Sequence, residues 1–209
     1  MAEPAPTRQR LLVEGMRLFA ERGFRATAVG DIEAAAGLQP RRGALYKHYA
    51  SKQALLDAAV RDHLDRAAAG ATQISEVHRT FAPRNERSQL WPIVWGLGRW
   101  FLEEMDRLKD LTRVLEHEGQ RMVDLTIEIK HDIVDLSYRT AADLIAAIAP
   151  DTHDPAATAV LVLGPLVALR RTAWTFGAPP LDIDDDRALE AWTELTLTML
   201  DASGDDDRP

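Results

Sequence analysis

The chain lacks cysteine altogether, has few aromatic residues and contains no long hydrophobic run. Without cysteine it has no disulfide framework, no thiolate metal site and no thiol nucleophile. Only 6% of the 209 residues are Phe, Trp or Tyr, so places where aromatics gather carry information. No apolar stretch approaches the roughly 20 residues of a membrane span, and the opening Met-Ala-Glu-Pro-Ala-Pro-Thr-Arg has no signal-peptide core. These absences lead us to expect a soluble, cytoplasmic protein. No Gly-rich phosphate loop follows a strand, and no Ser/His/Asp arrangement has a recognisable local signature. We therefore assign no catalytic residue, expect no cofactor and do not read the chain as an enzyme.

What is present is helical periodicity. From Thr7 to about Leu200 the apolar residues recur at helical spacing, without convincing strand alternation, which predicts an all-α protein of about nine helices. Helix 1 starts at an N-cap, Thr7, and stops at Gly23. Thr27 caps helix 2, which stops at Gly37. Pro40 lies in a turn, and a short helix 3 covers roughly Arg41 to His48. Ser51 caps helix 4, which runs out towards Ala69 and Gly70. Residues 70–89 read as a loop or broken helix. Helix 5 carries Trp91, Trp95, Trp100 and Phe101, helix 6 spans about 108–118 and helix 7 about 122–149. Helix 8 runs over 155–176 with a kink at Gly164-Pro165, and helix 9 follows a loop at 177–184. Residues 1–66 make one domain and 67–201 another, with a disordered acidic tail at 202–209.

Charge is unevenly divided between these domains. Residues 1–66 hold 11 Lys/Arg against 8 Asp/Glu, a surplus of three, while the rest brings the chain to a net charge of −8. A mildly basic head on an acidic body suits a DNA reader whose body stays away from phosphates.

The segment Gly37 to Lys52 gives that idea chemistry. It holds a turn, a short helix with a basic start and the start of another helix, the arrangement by which a helix-turn-helix enters the major groove. Arg41, Arg42, Gly43 and Ala44 offer donors on a small face. Arginine bridges guanine O6 and N7, and Ala44 suits a thymine methyl. Thr27, Tyr46, Lys47, His48 and Lys52 are placed for phosphate or groove contacts. Without further context Arg41 and Arg42 would be a solvated turn and Tyr49 a core aromatic.

The context comes from a run of short motifs. Leu18-Phe19-Ala20-Glu21-Arg22-Gly23-Phe24, Thr27-Ala28-Val29-Gly30-Asp31-Ile32, Ala35-Ala36-Gly37-Leu38, Gly43-Ala44-Leu45-Tyr46-Lys47-His48-Tyr49 and Ser51-Lys52-Gln53-Ala54-Leu55-Leu56 follow one another in order. Together they resemble the DNA-binding head of the TetR family of bacterial transcriptional repressors. The resemblance implies a three-helix head on a helical, ligand-binding and dimerising body. It implies a homodimer on double-stranded DNA at a palindromic operator, released by a small-molecule inducer. Three positions depart from the family pattern. Gly37 to Tyr46 is about two residues longer, which leaves Arg41 and Arg42 as competing base contacts, with Arg42 favoured. Glu33 replaces a small residue and should point to solvent or pair with an arginine. Gly15 replaces alanine in helix 1, a cost of about 1 kcal/mol in helix propensity.

In the body, Trp95, Trp100, His117, Tyr138 and Trp174 are candidate pocket residues for a flat or lipophilic ligand, against the alternative that the aromatics simply fill a core. Glu128, His131, Asp132 and Asp135 have the spacing of half a carboxylate-bridged di-metal site, but no second Glu-x-x-His completes it, so no metal site is assigned. Helix 8 is apolar around much of its girth and helix 9 has an apolar stripe, which together predict the homodimer interface. A helical small-molecule carrier or a di-metal helical protein is the competing reading.

Overall fold

In the computed structural model, residues 6–80, 87–119 and 122–202 are described. The 202–209 tail lies almost wholly outside that range. The elements are α1 (Thr7–Arg22), α2 (Val29–Ala35), a 3₁₀ turn (Leu45–Lys47), α3 (Lys52–Thr80), α4 (Arg87–Glu118) and α5 (Val123–Ile129). After a π-helical segment (Lys130–Asp135) come α6 (Leu136–Ile148), α7 (Pro155–Phe176), a second 3₁₀ turn (Pro180–Asp182) and α8 (Asp185–Ala202). No strand occurs among the described residues.

The described residues thus hold eight α-helices, where about nine were expected. The short helix 3 is a single 3₁₀ turn, helices 5 and 6 are fused in α4, and helix 7 is split by the π segment. Of the loop or broken helix expected over residues 70–89, residues 70–80 are helical in α3 and 87–89 in α4, while 81–86 lie outside the described residues. Gly70 is there for packing: a Cβ on it would stand 2.8 Å from the Trp100 ring, so the indole of α4 lies directly on the α3 backbone. α7 passes Gly164-Pro165 without interruption. By length and composition α7 does match a membrane span, contrary to the expectation that no segment would.

The chain forms two compact units. One comprises Met1–Arg66 with Leu108–Ile133, the other Ala67–Arg107 with Val134–Pro209. In the first, Leu11, Leu12, Leu18 and Phe19 of α1, Ile32 of α2 and Leu55, Leu56 and Val60 of α3 are buried. Each fully buried Leu or Phe contributes about 1.5–3 kcal/mol to this core. Gly15 lets the end of the Leu55 side chain lie close against the α1 backbone. A Cβ there would fall 2.8 Å from Leu55 Cδ2 and 3.6 Å from Ile32 Cγ2. Pro6, not Thr7, is the N-cap residue of α1, and it supplies no side-chain cap. Ser51 caps α3 as expected, its Oγ accepting the Ala54 N–H at 3.0 Å.

The second unit is built around Leu90, Val94 and Leu102 of α4, Ile145 of α6, Leu166 of α7 and Leu189 and Trp192 of α8. The Trp192 Nε1–H donates to the Val162 carbonyl at 2.7 Å, which satisfies the one polar atom of a buried indole. Asp154 caps α7, its Oδ1 accepting the Ala157 N–H at 2.9 Å. Arg170, only 8% exposed, makes a bidentate pair with Asp185 at 2.7 Å and reaches Asp106 at 3.1 Å.

Candidate nucleic-acid interface

α2 ends in a Schellman motif. The Leu38 N–H reaches back to the Glu33 carbonyl at 2.9 Å and the Gly37 N–H to the Ala34 carbonyl at 3.0 Å, with Gly37 left-handed at φ 71°. The chain then turns at Pro40, passes through Arg41 at φ 62° and Gly43 at φ 70°, and enters the 3₁₀ turn. Its bonds run from Lys47 N–H to the Ala44 carbonyl and from the His48 and Tyr49 N–H groups to the Leu45 carbonyl. Two left-handed residues at 41 and 43 are incompatible with the expected helix over Arg41–His48. Only its second half is helical, and the arginines precede it.

Burial sorts the segment into anchors and exposed groups. Leu45 and Tyr49 are buried, while Arg41, Arg42, Tyr46 (58% exposed), Lys47 and His48 face solvent, with Gly43 and Ala44 half-buried. The Tyr49 hydroxyl donates to the Arg8 carbonyl at 3.0 Å and the Arg8 guanidinium lies 5.1 Å from the ring centroid. Burial raises the Tyr49 phenol above its ordinary pKa, and the Arg8 cation opposes that shift. No Asp or Glu occurs between Glu33 and Asp57, so the exposed cations of this stretch have no acidic neighbours in sequence.

Three residues take places the sequence did not foretell. Glu33 is wholly buried rather than turned to solvent or paired with an arginine. Its Oε2 accepts the Arg41 N–H at 2.7 Å and its Oε1 the Leu45 N–H at 3.0 Å. The only hint was an acidic residue on the apolar side of α2, next to Ile32. Thr27 does not cap α2, whose N-cap residue is Ala28. It is 1% exposed, and its hydroxyl proton is shared between the carbonyls of Leu18 (3.1 Å) and Gly23 (2.9 Å), so it closes the α1–α2 connection instead of facing outward. Lys52 donates to the carbonyls of Phe24 and Thr27 and sits 4.4 Å from the Phe24 ring centroid. Burial lowers its pKa, with the Glu118 carboxylate opposing. Two of its three ammonium protons are committed, which leaves one for a phosphate.

The expected body residues differ in their surroundings. Trp95 packs against the second unit's core, Trp100 lies on Gly70, and the Trp174 Nε1–H donates to Asp106 at 3.3 Å. Tyr138 is half-buried, and His117 is exposed and belongs to the first unit. Phe176, 79% exposed at the end of α7, lines nothing in the described chain. Among the described residues no group of three His, Asp or Glu side chains converges as a metal site. The Glu128 to Asp135 stripe runs into the π segment, where the helical i, i+4 register is lost, and His131 pairs with Asp132.

A short core-anchored turn that exposes cations beside a second helix has the build of a helix-turn-helix head. The comparisons with known proteins agree. Residues 11–59 match the family described as bacterial regulatory proteins, tetR family. The HTH-type transcriptional repressor KstR2 of Mycolicibacterium smegmatis is 41% identical over 64 residues, which is 31% of this chain and 30% of that protein. The chain thus aligns with less than a third of that curated relative's length. A putative TetR-family regulator from Mesorhizobium loti shares the fold with a TM-score of 0.67 at 15% identity, over 94% of this chain and 95% of that one. The ketosteroid transcriptional regulator KstR2 of Mycobacterium tuberculosis does so with a TM-score of 0.61 at 20% identity, over 96% of each chain. Residues 11–59 thus carry a DNA-binding head of the tetR family of bacterial regulatory proteins, and the whole chain shares the fold of the solved TetR-family structures.

Proposed function

We propose that this protein is a homodimeric, ligand-responsive repressor that holds a palindromic operator and releases it when a small molecule binds its body. The observation that carries the DNA-binding part is the exposed, acid-free tip from Arg41 to His48, seated on a buried anchor in a head that matches the family. In this reading Arg42 reads a base, Arg41 stands as the alternative base contact, and Ala44 lies against the groove. Tyr46, Lys47, His48 and the remaining proton of Lys52 hold phosphates. Thr27 supports from behind, by holding the α1–α2 connection.

Dimerisation is assigned to α7 and α8, the helices 8 and 9 of the sequence reading. α7 is the most apolar long helix, yet Val160 and Leu161 (63% exposed) remain uncovered, as does Leu195 of α8 (56% exposed). A two-fold contact covers all three, and it accounts for a span-like helix without a membrane. Trp95, Trp100, Tyr138 and Trp174 are the pocket residues proposed for the inducer, and His117 is not grouped with them. Induction requires that the small molecule bind the conformation unfit for DNA more tightly, and DNA then weakens its binding by the same factor. We place the protein in the cytoplasm, with its DNA.

Selection of bound duplexes from a random library tests the proposal. The expected result is a palindrome bound with steep salt dependence, relaxed at one position per half-site by Arg42→Ala. Recovery of no sequence preference, with lipophilic probes bound tightly, would instead identify a helical carrier.

A further inference from the structure

We infer that Glu33 is a specificity-determining positioning residue, the buried carboxylate that fixes the Arg41–Leu45 segment as a rigid reading tip; the inference rests on the DNA-binding reading above. Three main-chain N–H groups converge on this one residue of α2. Leu38 donates to its carbonyl, Arg41 to Oε2 and Leu45 to Oε1. The chain between the last two anchors is only Arg42, Gly43 and Ala44. It is reversed by the left-handed Arg41 and Gly43, so Arg42 stands at the apex with both ends of its loop tied to the same carboxylate.

The chemistry needed here is that of a carboxylate and not merely of a side chain of its size. Each oxygen accepts one N–H, and there is no donor to oppose either. A glutamine offers one acceptor and turns an N–H₂ group towards the other amide. An alanine leaves two amides without a partner. A non-glycine residue at φ 62° is an uncommon conformation that persists when its surroundings hold it, and the bond from the Arg41 N–H to Glu33 is the contact that does so. Gly30 adds room. A Cβ there would come within 3.3 Å of Arg41 Cγ, so the stem of that arginine lies across α2. The longer turn of this head is therefore a built structure with a designated internal cap.

Sequence readout needs its donors held in fixed geometry, whereas attraction to phosphates does not. Glu33→Gln in the full-length protein should therefore separate the two. We expect it to reduce the ratio of operator to random-duplex affinity at least tenfold. Random-duplex affinity and its salt slope should stay unchanged, and little further loss should follow when Arg42→Ala is already present. Amide exchange should quicken at Arg41 and Leu45 while Phe19 and Leu55 stay protected. An unchanged affinity ratio in Glu33→Gln, with the wild type selective, overturns this inference alone. A wild type without any sequence preference overturns the DNA-binding reading and the inference with it. Should Glu33→Gln lose its helical signal, Gly43→Ala takes its place. It strains the same tip through the left-handed backbone of Gly43, where a Cβ would meet Tyr46 Cδ2 at an ordinary 3.7 Å, and its retention of full specificity overturns the rigid tip.

Discussion

Thr27 and Gly98 show how single side chains, or the lack of one, govern the packing of this protein. The Thr27 hydroxyl is spent on the carbonyls of Leu18 and Gly23. Thr27→Val keeps the shape and removes the donor, so it should cost about 1 kcal/mol of stability in thermal or urea unfolding. Random-duplex affinity should be untouched. A loss of DNA affinity without a loss of stability would return the hydroxyl to the phosphate contact expected from sequence. At Gly98 of α4 a Cβ would lie 2.5 Å from Trp192 Cζ3 and 2.9 Å from Leu189 Cδ2. Trp192 cannot give way easily, being a rigid ring tied to the Val162 carbonyl. Gly98→Ala gains up to about 1 kcal/mol of helix propensity, but overpacking costs about 1–3 kcal/mol and wins. A net fall in Tm of several degrees is expected by calorimetry; a rise would mean that α4 and α8 slide apart freely.

Between elements, the contact of α7 with the start of α8 carries a pH dependence. Hydrogen bonds from Arg170 hold the Asp185 carboxyl below its ordinary pKa, with a smaller pull from Arg99. A depressed carboxylate stabilises the fold fully above its unfolded pKa of roughly 3.9 and ceases to do so as pH falls through the lower folded value. Asp185→Asn should therefore be less stable than the wild type at neutral pH, with the gap closing below about pH 4. A gap that stays constant down to pH 2 would mean that the ion pair contributes nothing. At this scale much was legible in sequence. The limits of α7 were read directly, since Pro155 starts it and Gly177, left-handed at φ 81°, ends it. The end of α1 at Gly23 and the cap at Ser51 were equally plain. What could not be read was set by tertiary contacts. Gly70 looked like a helix breaker because the Trp100 ring that occupies its bare face is distant in sequence. The reading tip looked helical because its spacing suits a helix, and the carboxylate that bends it otherwise lies eight residues upstream of the first amide that it binds. Arg42 and Tyr46 are exposed where the motif places them, whereas residue type alone does not show that main-chain carbonyls engage the Thr27 hydroxyl and two of the Lys52 ammonium protons.

For the molecule as a whole, assembly is the decisive property. If α7 and α8 form the two-fold contact, Leu161→Glu brings like charges together across the axis and should convert a sedimenting dimer into a monomer. Operator affinity should fall with it, because one head alone reads only half a palindrome. A variant that stays dimeric would move the interface elsewhere. The way the reading tip is fastened has a further consequence. Glu33 grips the main chain at Arg41 and Leu45 and not their side chains. The amino acids displayed at 41, 42, 46, 47 and 48 can thus be exchanged while the frame beneath them stays as it is, provided that position 41 avoids β-branched residues and tolerates a left-handed backbone, as asparagine and glycine do. Preference for a new operator is then a matter of changing the lettering on a fixed stamp, a route open both to natural divergence and to deliberate redesign.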